Sequence, residues 1–141
     1  MRVSAKPRRN GPPQAAAYPH ATPMALDQLF DRSGLAGLRA AVAAHAEELG
    51  AGERLGDVVL VAHELATNVV RHGGGQGRLR LWSANGHIVC RVSDSGPGLI
   101  DPGPEEPSPR QMGGRGLLIA RRMATVRIVT GPDGTTVTAR F

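Results

Sequence analysis

Between residues 31 and 49, Leu35, Leu38, Val42, Ala46 and Leu49 recur every three or four positions, the spacing of one apolar face of a helix. Asp31 or Ser33 is placed to cap its start, and Gly50 ends it. A second helix is predicted from about Glu53 to His72, where Gly73, Gly74 and Gly75 stop it. At about 100° per residue from Glu64, the residues Leu55, Val58, Val59, Ala62, Leu65, Ala66, Val69 and Val70 fill an arc of roughly 100° to 240°. Glu64, Asn68 and His72 fall at about 0°, 40° and 80°, a polar line along the edge of that stripe.

Downstream the period changes to two. Leu79 and Leu81 alternate with Arg78, Arg80 and Trp82, Asn85-Gly86 is a strong two-residue hairpin signal, and Ile88, Cys90 and Val92 alternate again. Residues 99–112 carry four prolines with Asp101, Glu105 and Glu106, which predicts a long loop of the kind that serves as a lid. A short helix through Leu117, Leu118, Ile119 and Met123 follows, then a strand with Val126 and Ile128. A turn over residues 131–134 leads to a last strand with Val137, Ala139 and Phe141. These elements predict an α+β fold, a two-layer sandwich of a mixed, mainly antiparallel sheet with helices on one face.

Charge refines the domain limits. The formal net charge is +5 over 141 residues. Arg2, Lys6, Arg8 and Arg9 lie in residues 1–25 with no acid, so the remainder is nearly neutral. That segment also holds five of the eleven prolines and few large apolar side chains, which predicts a disordered basic tail ahead of a domain over residues 26–141. A tail-driven nucleic-acid binder would need salt-dependent affinity from those four cations alone, and direct nucleic-acid binding is not expected. No run approaches the roughly 18 apolar residues of a membrane span, and no apolar signal segment follows the first basic residues, so a cytoplasmic protein without membrane contact is expected. The single cysteine, Cys90, excludes an intrachain disulfide.

Three clusters carry chemistry. On the second helix Glu64 and Asn68 lie one turn apart: a carboxylate can take a proton, and a carboxamide oxygen is a hard ligand suited to Mg²⁺. His63-Glu64 would begin a zinc-hydrolase helix only with a second histidine at position 67, which is Thr67. Asp94-Ser95-Gly96-Pro97-Gly98 follows a strand; its acid can accept from an exocyclic base amine, while its glycines admit a ring or form a turn. Gly113-Gly114-Arg115-Gly116 opens a helix, where free N–H groups and glycines can receive phosphate, with Arg110 and Arg115 as charged contacts. Walker and Rossmann loops are absent, the only lysine being Lys6.

The order Glu-x-x-x-Asn-x-x-x-His, Asp-x-Gly-Pro-Gly, lid, Gly-Gly-Arg-Gly resembles the GHKL ATPases with their Bergerat fold. The short helix pair and the ending Gly134-Thr135-Thr136-Val137 resemble, more narrowly, the bacterial anti-sigma factor serine/threonine kinases and their ATP-binding regulatory relatives. The resemblance spans about residues 31–141. It implies ATP and Mg²⁺ as ligands, Asn68 as the Mg²⁺ ligand and Glu64 as general base. It implies Asp94 as partner of the adenine amine, Gly96 and Gly98 as a lid hinge, and Gly113, Gly114 and Gly116 beneath the phosphates. Thr135 and Thr136 match the threonine region near adenine, Thr136 being taken as a binding residue. His72 is common at its position in this group and receives no catalytic role.

The expected function is therefore a Mg-ATP-dependent serine/threonine kinase of an anti-sigma-factor antagonist, with a sigma factor to sequester as its further expected partner; homodimerisation is a family expectation. The alternative is a non-catalytic ATP-sensing module whose nucleotide alters partner affinity. Histidine autokinase activity is not expected, because the lid is short and no dimerisation helix with a phosphoacceptor histidine precedes the domain. Gyrase-like and chaperone-like activities would require further domains.

Overall fold

The computed structural model describes residues 24–95 and 114–141. In chain order the elements are β1 (Leu26–Asp31), α1 (Leu35–Glu48), α2 (Leu55–His72), β2 (Gln76–Ala84), β3 (His87–Asp94), α3 (Gly114–Met123), β4 (Thr125–Gly131) and β5 (Gly134–Arg140). Short 3-10 turns over Arg32–Gly34 and Gly52–Arg54 lead into α1 and α2. Of the two expected caps Asp31 acts, on the first of these turns: its carboxylate accepts from the Gly34 N–H at 3.2 Å, while Ser33 Oγ donates to the same carboxylate at 2.7 Å and caps no backbone group.

The strands form one sheet in the order β1-β2-β3-β5-β4. Every neighbouring pair is antiparallel, so the expected mixed sheet contains no parallel pairing among the described strands. The reason is topological. The connection through α3 brings β4 back in the direction of β3, and the hairpin partner β5 inserts between them. The β2–β3 hairpin forms as expected, with Asn85 and Gly86 at φ of 54° and 81°, the left-handed pair that a two-residue turn needs.

The edge strand β1 has no counterpart in the sequence expectations, because adjacent Leu29 and Phe30 interrupt its alternation. Phe30 turns into the core while Leu29 is 76% exposed on the other face. A glycine makes room for the ring: a Cβ on Gly77, the cross-strand partner of Phe30, would lie 2.6 Å from Phe30 Cζ. Pairing reaches back to Ala25, whose N–H donates to Leu81 O at 2.9 Å. The expected tail thus lies outside the described residues except for Met24 and Ala25.

The helices bury Leu38, Val42 and Ala46 of α1 and Val58, Val61, Leu65 and Val69 of α2 against Leu79, Leu81, Cys90 and Val92 of the sheet. Val61, at about 60° on the α2 wheel, lies outside the expected apolar arc yet is fully buried. Contacts of α2 with both α1 and α3 extend its covered surface beyond the sheet-facing stripe. On the opposite sheet face Trp82 is also fully buried, with the Arg91 guanidinium 5.1 Å from its ring centroid and Arg91 Nε donating to Thr138 Oγ1 at 3.0 Å. Alternation correctly assigns Trp82 to that face without implying exposure.

Candidate functional site

The end of α2 is built by three consecutive glycines with unequal roles. Gly73 closes the helix by donating its N–H to Val69 O at 2.8 Å, and Gly75 donates to the same carbonyl at 3.2 Å. Gly74 and Gly75, at φ of 91° and 89°, turn the chain through backbone conformations that favour glycine. Gly73, at φ −108° and ψ 27°, requires no such freedom. The abrupt stop leaves the last turns of α2 facing the ends of β3 and β5.

There a narrow cleft opens between α2, the sheet and α3. Leu65, Val69, Val92, Leu117 and Val137 give it apolar walls, while Asn68, His72, Asp94 and Thr135 contribute polar groups. An apolar slot with few placed polar groups suits a flat heteroaromatic ligand. Register brings the chemistry together: Val92 pairs with Val137 and Asp94 with Thr135 on adjacent strands, so all four share the helix-facing side. Thr135 is buried, and its Oγ1 lies 2.8 Å from Thr130 Oγ1.

The first turn of α3 meets the polar line of α2. A Cβ on Gly116 would lie 3.1 Å from Glu64 Oε1 and 3.2 and 3.3 Å from the Asn68 amide nitrogen and oxygen. Glu64 and Asn68 therefore converge with Gly116 in the first turn of α3, although β2 and β3 lie between the two helices in the chain. Glu64 is half-buried beside this junction, and Asn68 also lines the cleft. An Asn carboxamide oxygen with a carboxylate one turn away is a donor set that fits Mg²⁺, which prefers oxygen ligands and retains waters. Among the described residues no group of three or more His, Cys, Asp and Glu is arranged to hold a metal, so an ion here would complete its shell from phosphate and water.

Of the sequence-derived candidates, Asn68, Asp94 and Thr135 line the cleft, while Glu64 and Gly116 meet at its α2–α3 edge. Thr136 requires a correction. It pairs with Ser93 and Val129 on the opposite sheet face, because successive strand residues alternate. Counting back from inward Val137 would have selected Thr135. His72 and Gly73 also line the cleft. Gly114 and Arg115 open α3; the Arg115 side chain and all of Gly96, Gly98, Arg110, Gly113 and the expected lid lie outside the described residues. Among the described residues no helix is long and apolar enough to cross a membrane.

Comparison with known proteins agrees with this architecture. A family model for a histidine kinase-like ATPase domain matches residues 31–141. The histidine kinase domain from the Erythrobacter litoralis EL346 blue-light activated histidine kinase has a similar fold, with a TM-score of 0.52 and 20% sequence identity. That match covers 74% of this chain, which spans 64% of the length of the other. No curated protein matches.

Proposed function

The chain belongs to the histidine kinase-like ATPase family, and from this premise we propose that it is a Mg-ATP-dependent serine/threonine protein kinase that regulates transcription by phosphorylating an anti-sigma-factor antagonist. Sigma-factor sequestration and homodimerisation belong to the same proposal. The observation that carries the kinase reading is the junction of Glu64 and Asn68 with the α3 start at Gly116, directly beside a cleft containing Asp94.

In this reading the apolar walls take the adenine ring and the Asp94 carboxylate accepts from its exocyclic amine. Guanine would present a carbonyl there, placing two acceptors against one another. Asn68 would hold Mg²⁺, which neutralises phosphate charge when bound. Glu64 takes the proton of the attacking serine or threonine hydroxyl. The hydroxyl oxygen bonds to the γ-phosphorus, the bond to the β–γ bridging oxygen breaks, and ADP leaves with that electron pair. The first turn of α3, which holds Gly116, would offer its unpaired backbone N–H groups to the phosphates.

The test is transfer of ³²P from [γ-³²P]ATP to a cognate antagonist protein, comparing wild type with Glu64→Ala. Transfer that Glu64→Ala abolishes supports the reading; equal transfer by both removes Glu64 as the base. Nucleotide-dependent antagonist binding without phosphoprotein would instead establish a non-catalytic ATP-sensing module.

A further inference from the structure

Asp94 is enclosed by glycines from three separate elements. Gly77 is its cross-strand partner on β2, Gly134 begins β5 beside its backbone, and Gly73 ends α2 against its side chain. What each missing side chain would meet differs. A Cβ on Gly77 would strike Phe30 Cζ at 2.6 Å and Ser93 O and Val69 Cγ1 at 2.9 Å, atoms held by the core and the sheet. At Gly134 it would collide with the Asp94 carbonyl, and the residue adopts φ 137°, which disfavours other side chains. Both glycines are thereby explained by folding.

Gly73 has no equivalent explanation. Its backbone dihedrals suit ordinary residues, and its capping hydrogen bond uses only the main chain. A Cβ there would lie 2.5 Å from Asp94 Oδ2 and 2.7 Å from Cγ, with Val69 Cα next at 3.2 Å. The two closest obstructions belong to one rotatable carboxylate, so the fold can accommodate a methyl group by displacing the group that faces the cleft.

We infer that Gly73 is a positioning residue for nucleobase selection: its missing side chain lets the Asp94 carboxylate settle against the end of α2, where it can discriminate adenine from guanine. The inference rests on the adenine-site reading above. It accounts for glycine at all three positions of the run, the second and third by dihedral angle and the first by proximity to Asp94.

The test is calorimetric titration of the full chain with Mg-ATP and Mg-GTP, together with thermal unfolding, for wild type, Gly73→Ala and Gly77→Ala. Gly73→Ala should retain a midpoint within about 3 °C of wild type while losing about tenfold in ATP affinity, with the ATP-to-GTP affinity ratio falling toward one. Gly77→Ala should lower the midpoint by about 5 °C or more, the response to overpacking a core contact. A Gly73→Ala variant that loses affinity equally for both nucleotides would overturn the inference, since the methyl group would then merely occupy cleft space. An unchanged affinity ratio in a variant as unstable as Gly77→Ala would overturn it by making Gly73 structural. Wild-type protein that binds neither nucleotide, or binds both equally, would overturn the adenine reading itself and this inference with it.

Discussion

Asp94 and Thr135 are direct cross-strand partners on β3 and β5, and both line the cleft, whereas Thr136 occupies the opposite sheet face. Asp94→Asn should weaken ATP binding by about tenfold or more, the scale of losing a hydrogen bond to a charged group. Thr135→Val should cost a smaller factor and Thr136→Val none. Calorimetric titration of the three variants checks the assignment. Equal losses in Thr135→Val and Thr136→Val would contradict the separation imposed by the strand register.

Gly116 faces both Glu64 and Asn68 at distances that leave little room for a methyl group. Gly116→Ala should therefore reduce phosphoryl transfer by disturbing both side chains. Glu64→Ala should lower the transfer rate by about 10²- to 10⁴-fold, the range for a general base, while changing ATP affinity little. Single-turnover transfer and equilibrium binding separate these effects. A Glu64→Ala variant that loses ATP binding and turnover in parallel would point to a binding role instead.

At the β1 edge, Arg78 Nε and Nη2 donate to the two oxygens of the Asp27 carboxylate, each at 2.7 Å. These hydrogen bonds hold the Asp27 carboxyl below its usual range, with burial opposing them and Arg charges assisting. A carboxylate depressed in the folded state contributes stability above its unfolded value of about 3.9, and the contribution is lost as pH falls through the lower folded value. The pair is partly exposed, so Asp27→Asn should cost only about 0.5 kcal/mol at pH 7. Urea unfolding should show the difference shrinking as pH falls below the unfolded value of about 3.9. A difference of equal size at pH 2.5 and pH 7 would exclude the ion pair as its source.

Cys90 lies fully buried on β3, where burial pushes its thiol up to about 12. The thiolate is the reactive form, so native protein at pH 8 should resist a colorimetric disulfide reagent and react stoichiometrically in urea. Rapid labelling of the native protein would show that β3 opens locally.

Much of the site was legible because its signals are local. The spacing of Glu64, Asn68 and His72 placed them on one helical edge, Asn85-Gly86 fixed the hairpin, and Asp94 fell at the end of an alternating strand. Leu29 and Phe30 concealed β1 because their adjacency breaks a period of two; Phe30 is accommodated only where Gly77 faces it. Thr135 and Thr136 were both visible as candidates, but choosing between them requires the parity set by Val137.

By itself the sequence determined two amphipathic helices, a hairpin, the order of the chemical motifs and the helical edge carrying Glu64 and Asn68. Those features depend on residues within a few positions of one another, where backbone periodicity dictates which side chains share a face. Tertiary structure alone decided that β5 separates β3 from β4, that Gly116 meets Glu64 and Asn68, and that Gly73 abuts Asp94. Those relationships depend on how elements pack across the domain, and a linear pattern carries no distance between residues brought together only when the core closes.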